Sequence, residues 1–253
     1  AGFQKFLSLF SSQTALKTER KTSGVKGLQA YNPFAGVAAV LLISDNTFFR
    51  NTLFINRNSP VYGHDLNYQT SGNKLLLING CDTRNRSEGG VRFRWNIQKT
   101  NFVLETKRGT KKYRSELFTE KNYRINFLEF IPEINYQFNN NMRLSFNGSI
   151  TQQSNQINSK EESTNYKVGS DIRYNILRKG TINSGINLVK NKFKGTPNTS
   201  LSFEMLEGLQ TGNNIIWTAG LQRTITQGVQ LNIGYEGRKS EEVRTIHTGS
   251  LQF

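Results

Sequence analysis

Residues 91–98 read Val-Arg-Phe-Arg-Trp-Asn-Ile-Gln. Val91, Phe93, Trp95 and Ile97 are apolar, and Arg92, Arg94, Asn96 and Gln98 between them are polar. A period of two sends these sets to opposite faces of an extended strand, which a helix cannot do. The alternation returns at 62–69, where Tyr62, His64, Leu66 and Tyr68 oppose Gly63, Asp65, Asn67 and Gln69, and again at 142–151 and 229–235. A chain made of such strands has one apolar sheet face to hide. It hides that face against a second sheet in water, or turns it toward lipid.

The spacing of the breaks favours lipid. Short turns fall near residues 58, 99, 140, 179 and 226, and long polar segments near 21–45, 70–88, 108–122, 154–163 and 193–213. The two kinds alternate along the chain, as short periplasmic turns and long extracellular loops do in an outer-membrane barrel; Greek-key crossings of a soluble sandwich have no reason to do so. Only 35% of residues are hydrophobic. No run of about 18 apolar residues offers a spanning helix, but a barrel needs apolar residues only at alternate positions of strands roughly 9–11 residues long.

A weak strand near residue 16 and eleven more from Asn46 onward give twelve. The expected fold is therefore all-β, an antiparallel transmembrane β-barrel of about 12 strands formed by a single domain, 1–253. An even count puts both chain ends on the short-turn side and lets the barrel close. Residues 1–10 are a periplasmic lead-in, 21–45 and 193–213 are long loops or a plug, and 203–209 make one or two helical turns capped by Gly208 or Gly212. Apolar parity changes from odd (Tyr123, Ile125, Phe127) to even (Ile134, Tyr136, Phe138) beside Pro132, which predicts a bulge. Asn139, Asn140 and Asn141 predict a tight turn through positive φ.

Chemistry-bearing residues are few. Cys81 is the only cysteine, so no intramolecular disulfide or Cys-based zinc site is expected. The two histidines, His64 and His247, share the apolar faces of their strands. No Gly-x-Ser-x-Gly elbow or paired-histidine metal motif occurs, and no serine is singled out as a nucleophile. No catalytic residue, metal or cofactor is expected, and an envelope lipid hydrolase using either histidine is a remote alternative.

The net charge of +15 comes from 33 Lys and Arg against 18 Asp and Glu. These cations are spread over turns, loops and strands rather than gathered on one recognition element, which argues against nucleic acid. The polar parity assigns Arg92, Arg94, Glu105, Lys107, Glu133, Arg143, Lys167, Asp171, Arg173, Glu236 and Arg238 to the lumen. Mixed signs there allow the interior to fill itself by ion pairing, while the excess of cations suits an anion-favouring channel. Arg84, Arg86, Lys111, Lys112 and Arg114, in the polar segments, are candidates for contact with lipopolysaccharide phosphates. Aromatics on the lipid parity, among them Tyr62, Trp95, Tyr166, Trp217 and Tyr235, suit interfacial girdles.

The segments Phe49-Arg-Asn-Thr-Leu-Phe-Ile-Asn-Arg, Tyr62-Gly63 and Asp65-Leu-Asn-Tyr resemble the C-terminal barrel of large outer-membrane proteins from Bacteroidota. So do Arg114-Ser-Glu-Leu-Phe, Phe203-Glu-Met-Leu-Glu-Gly-Leu-Gln, Gly212-Asn-Asn, Gly237-Arg-Lys-Ser and His247-Thr-Gly. The resemblance covers most of residues 10–253. It implies a bacterial outer-membrane location and a barrel rather than a chemistry, and a chain that is the ordered portion of something longer. Ala1-Gly-Phe-Gln-Lys is not a signal peptide, in keeping with a mature form. Leu251 and Phe253 are similar to the C-terminal signal by which such barrels are recognised for assembly. The expected role is a non-enzymatic structural or accessory subunit of a larger envelope complex, with outer-membrane lipid, lipopolysaccharide and other envelope proteins as partners. A small-solute channel is the alternative.

Overall fold

The computed structural model describes residues 9–23, 42–78, 80–157, 161–176, 179–226, 229–241 and 243–252. The lead-in at 1–8, most of the 21–45 loop and Phe253 lie outside the described residues. Twelve strands follow one another. They are β1 (Phe10–Thr22), β2 (Leu42–Ile55), β3 (Tyr62–Leu77), β4 (Gly80–Ile97), β5 (Thr100–Ser115) and β6 (Tyr123–Gln137), then β7 (Met142–Asn155), β8 (Glu162–Ile176), β9 (Gly180–Lys194), β10 (Gly212–Thr226), β11 (Val229–Ser240) and β12 (Ile246–Gln252). Each pairs antiparallel with its neighbour in sequence, in the order β1 to β12, as an up-and-down barrel wall. One α-helix, α1 (Ser200–Met205), lies between β9 and β10.

The sheet is inside out for a protein in water. Phe93, Trp95, Leu104, Leu128, Phe130, Phe146, Ile172, Ile186, Leu188 and Ile233 are all exposed. They share one face: Phe93 pairs with Leu104, Phe130 with Ile150, and Ile186 with Trp217. Exposed apolar rows on one side of every strand from β3 to β11 make the lipid-facing band that a membrane barrel needs. The opposite parity carries the polar residues.

The expected loop at 70–88 is strand instead, and the charged stretch 108–121, expected as a loop or an extended strand tip, is strand as far as Ser115. β3 and β4 continue through 70–88 and meet at a hairpin near residue 78, and β5 runs on to Ser115. β4 has 18 residues, against the roughly 9–11 that cross the hydrocarbon layer. The lipid-parity residues of its upper half are Thr83, Asn85 and Ser87, so that half stands clear of lipid with both faces wet. Apolar alternation disappears there because neither face needs it, and the sequence then reads as loop.

Pro132 makes no bulge. The register sum is the same on both sides of it, with Phe130 opposite Ile150 and Glu133 opposite Asn147. Gly148 lies opposite the proline, and a Cβ on it would stand 3.3 Å from Pro132 Cγ. The change of apolar parity has another cause: Tyr123, Ile125 and Phe127 point into the interior, while Leu128, Phe130, Ile134 and Tyr136 keep the lipid face. The turn at Asn139 also differs from expectation. Its side-chain oxygen accepts the backbone N–H groups of Asn141 and Met142, each at 2.9 Å. This Asx turn needs no positive φ, and Asn139, Asn140 and Asn141 have none.

The ladder has two ends. Among the described residues no strand pairs with the free edge of β1 or of β12. Every residue of β12, and most of β1, is exposed.

The indole of Trp217 lies flat over Gly237, where a Cβ would fall 2.1 Å from the ring. Gly237→Val therefore has to displace the ring, at about 1–3 kcal/mol for overpacking. The expected result is a shifted tryptophan emission and a lower temperature at which the heat-modifiable folded band disappears on gels.

Candidate functional site

The long-loop end of the interior is filled by the chain itself. Thr199 and Ser202 form a reciprocal capping box at the start of α1, which fixes where the helix begins. The chain leaves the helix through Glu207 and Gly208, both in the left-handed region (φ 55° and 72°), and Gly208 N–H donates to Phe203 O at 2.9 Å. The helix thus starts and ends three to four residues before the expected 203–209. Leu201 and Met205 pack on Ile125, with Tyr123 and Phe193 alongside. Met205 and Ile125 are fully buried.

Helix C-terminal carbonyls lack intrahelical partners, and here the barrel wall supplies them. Gln153 and Asn165 each donate a side-chain N–H to Met205 O at 2.8 Å, and Asn191 donates to Leu206 O at the C-cap (3.4 Å) and, past the helix, to Gln210 O (3.2 Å). Lys111 on β5 reaches Glu204 on α1 at 3.0 Å. The apolar residues of interior parity at 123–127 are therefore the seat of a plug.

Below the plug the wall is polar. The parity opposite the apolar rows carries the charged residues that alternation assigned to it, joined by Asp65: Asp65, Arg92 and Glu105 form one cross-strand row, Lys107 is opposite Gly90, and Arg94 and Glu133 both flank Val103. On the far side Lys167 faces Ser149, Asp171 faces Ser145, and Glu236 and Arg238 face Thr218 and Ile216. Much of this wall is tied together. Lys107 pairs with Glu105 at 3.4 Å, Asn147 donates to Asp171 at 2.9 Å, and Asn96, Asn101, Asn135 and Ser145 make a hydrogen-bonded chain across β4 to β7. Arg143 and Arg173 are opposite each other near the short-turn end, in a depression of about 400 Å³. Their Nε–H groups are held by Gln137 (3.2 Å) and Asn175 (3.4 Å), and neither guanidinium has an acidic partner among the described residues.

The cations expected to meet lipopolysaccharide separate into two sets. Arg84 and Arg86 lie over the rings of Tyr113 and Phe127, Arg86 also pairs with Glu88, and Lys111 holds Glu204; these three face the interior. Lys112 and Arg114 have the opposite parity, are exposed, and face outward. Strand extension above the lipid separates them, since it gives adjacent residues opposite directions where a loop would not. Alternation applied to 108–115 would have found this.

Both histidines sit on the outer face. His64 stacks edge-on to Phe93 with ring centroids 5.0 Å apart, and His247 Nδ1 is 2.8 Å from the Tyr235 hydroxyl. Neither bonds a serine among the described residues.

Asp82, in the part of β4 beyond the lipid, accepts the Tyr113 hydroxyl at 2.7 Å. Hydrogen bonds from Tyr113 and Ser115, aided by nearby Arg84 and Lys121, hold its carboxyl below the usual value. Tyr123, at the edge of the plug seat, is pushed up to about 12, chiefly by burial and then by Glu204.

No protein-family model matches the chain, and no curated protein matches it. Solved structures do. The siderophore receptor PirA from Acinetobacter baumannii superposes on 96% of the chain with a TM-score of 0.52 at 9% identity, and the chain spans 40% of that receptor's length. The β domain of the Bordetella autotransporter BrkA aligns over 96% of both chains with a TM-score of 0.37 at 10% identity. The chain has the fold of outer-membrane β-barrels, and its lipid-facing band places it in the bacterial outer membrane.

Removing the buried side chain in Met205→Ala should loosen the plug by about 2–5 kcal/mol. Protease in detergent should then cut within 195–211 more than tenfold faster while the strands stay intact. Tyr113→Phe removes the main bond to the Asp82 carboxylate. Because the depressed pKa contributes stability above the unfolded value of about 3.9 that is lost as pH falls through the folded one, the variant should lose that contribution at a higher pH. Carboxyl carbon NMR should show the Asp82 titration moving upward.

Proposed function

We propose that this chain is a non-enzymatic wall section of a larger outer-membrane assembly, in which strands outside these residues pair with the free edges of β1 and β12. The outer edges of β1 and β12, which no strand joins among the described residues, carry this reading. An unsatisfied backbone group in hydrocarbon costs several kcal/mol, so an edge with a handful of them is unfavourable by on the order of ten kcal/mol or more. The span of 40% of a larger barrel fits a wall whose curvature belongs to a wider ring. An exposed apolar tip adds support. Leu75, Leu76, Leu77 and Ile78 at the β3–β4 hairpin, with Leu117 and Phe118 beside them, are exposed well beyond the lipid, where a partner protein would cover them. The resemblance to C-terminal barrels of large Bacteroidota proteins agrees with an accessory part in export, transport or assembly.

A small-solute channel is the second reading, favoured by Arg143 and Arg173 in the lower lumen, which have no acidic partner among the described residues. The seated plug and the tied polar wall speak for the structural role.

Cysteines at Leu16 and Leu251 test the first reading. The expected outcome is no disulfide between them in the native membrane, with photo-cross-linkers at the same two positions capturing other envelope strands. Efficient formation of the Leu16–Leu251 disulfide would show that β1 closes on β12 and would sink the proposal. In planar bilayers the purified chain should give no stable ohmic conductance; channels altered by charge reversal at Arg92 and Arg143 would favour the second reading.

A further inference from the structure

The lumen wall of β1–β5 holds a cleft of about 390 Å³ whose lining side chains are all of interior parity. One cross-strand row runs through it: Phe54 faces Asp65, Asp65 faces Arg92, and Arg92 faces Glu105. Gly90 lies on the same face between Asn67 and Lys107, and its missing side chain opens the floor. A Cβ there would stand 3.0 Å from Asn67 Oδ1 and 3.2 Å from Lys107 Cγ. These five strands build the cleft by themselves, so it does not depend on what joins the outer edges of β1 and β12.

Most charges around the cleft are already matched. Lys107 pairs with Glu105 at 3.4 Å and Arg86 with Glu88 at 2.7 Å. Arg50 donates through Nε to Gln69 at 2.8 Å, and its guanidinium lies 5.4 Å from the Phe48 ring centroid. Two charges are not matched. Among the described residues Arg92, exposed to the lumen, has no acidic partner, and half-buried Asp65 has no cationic one. They stand directly opposite each other in the ladder. An anion at Arg92 would meet the carboxylates of Asp65 and Glu105 on either side, and a cation at Asp65 would meet Arg92. An uncharged sugar would leave both charges unanswered. A ligand bearing a carboxylate and an ammonium side by side answers both.

We propose that this cleft binds a zwitterionic α-amino acid with an apolar side chain. Its carboxylate takes the planar fork of Arg92, which suits two parallel hydrogen bonds, and its ammonium donates to the Asp65 carboxylate. The two charged groups share one carbon of the ligand, and the two side chains that receive them share one cross-strand pair, whose Cβ atoms stand close together. Glu105 is taken by Lys107, so the body of the ligand turns the other way along the row, toward Phe54 and Phe48. The few polar contacts fix the class of ligand and its orientation. The two rings set the preference for an apolar side chain.

The test titrates L-phenylalanine into the whole chain in detergent and follows binding by calorimetry. N-acetyl-L-phenylalanine lacks the ammonium, L-phenylalaninamide lacks the carboxylate, and glucose is the uncharged comparison. The expected result is saturable binding of L-phenylalanine at least tenfold tighter than either blocked form, with no binding of glucose. Arg92→Gln and Asp65→Asn should each weaken L-phenylalanine at least tenfold while keeping heat-modifiable migration. Each should also erase one discrimination: Asp65→Asn that against the N-acetyl form, and Arg92→Gln that against the amide. Arg143→Gln, on another part of the lumen wall, should leave binding unchanged. Equal binding of the three phenylalanine forms would overturn the proposal. So would no binding of L-phenylalanine, tighter binding of glucose, or a discrimination that survives its variant. Should either variant fail to fold, the ranking of the four ligands on the parent chain decides alone.

Discussion

A backbone amide inside hydrocarbon has nothing to bond except another backbone group. That constraint shapes the whole molecule. Each of the eleven ladders between consecutive strands satisfies one side of a strand and hands the requirement on to the next. The requirement passes unbroken from β1 to β12. Pro132, which cannot donate, is accommodated because its opposite residue is Gly148 and the pairing keeps one register from Phe130 before it to Glu133 after it. Among the described residues the ladder ends at the outer edges of β1 and β12.

Within the wall, the two faces answer to different solvents. Lipid asks only for apolar surface, so the outer face tolerates any of Phe, Leu, Ile, Val or an aromatic. The interior is more demanding. Where it is open, it carries charges and carboxamides that bond sideways to one another. Where α1 enters, it turns apolar at Ile125 and offers Gln153, Asn165 and Asn191 to the helix-terminal carbonyls of Met205 and Leu206. The plug is held by complementarity of both kinds, with the Lys111–Glu204 pair at its margin adding little by itself because it is partly exposed.

The strand count, the topology and the lumen parity were legible in the sequence because lipid enforces strict alternation. Arg92, Glu105, Asp171 and Glu236 could be assigned to a face from their neighbours alone. Legibility failed where the lipid ends. In 70–88 and 108–115 alternation lapses above the lipid, so strand reads as loop in the first and as loop or strand tip in the second; Lys111 and Lys112, adjacent in sequence, point to opposite sides of the wall. It failed again at 123–127, where apolar residues on the interior parity look like a slipped strand. Only the partner helix, 75 residues later, explains them.

The tall β3–β4 hairpin has a consequence for how its tip is aimed. Above the lipid neither face of the sheet prefers one register over another, since sliding by one residue exchanges polar for polar. The alignment of that upper part is therefore inherited from the apolar rows Tyr62–Trp95, His64–Phe93 and Leu66–Val91 at its foot. The hairpin works as a lever whose angle is fixed in the membrane and displayed outside it. A lesion at Phe93 would swing Leu76 and Ile78 out of place without touching either, so the membrane-embedded half of this protein decides what its exterior half can meet.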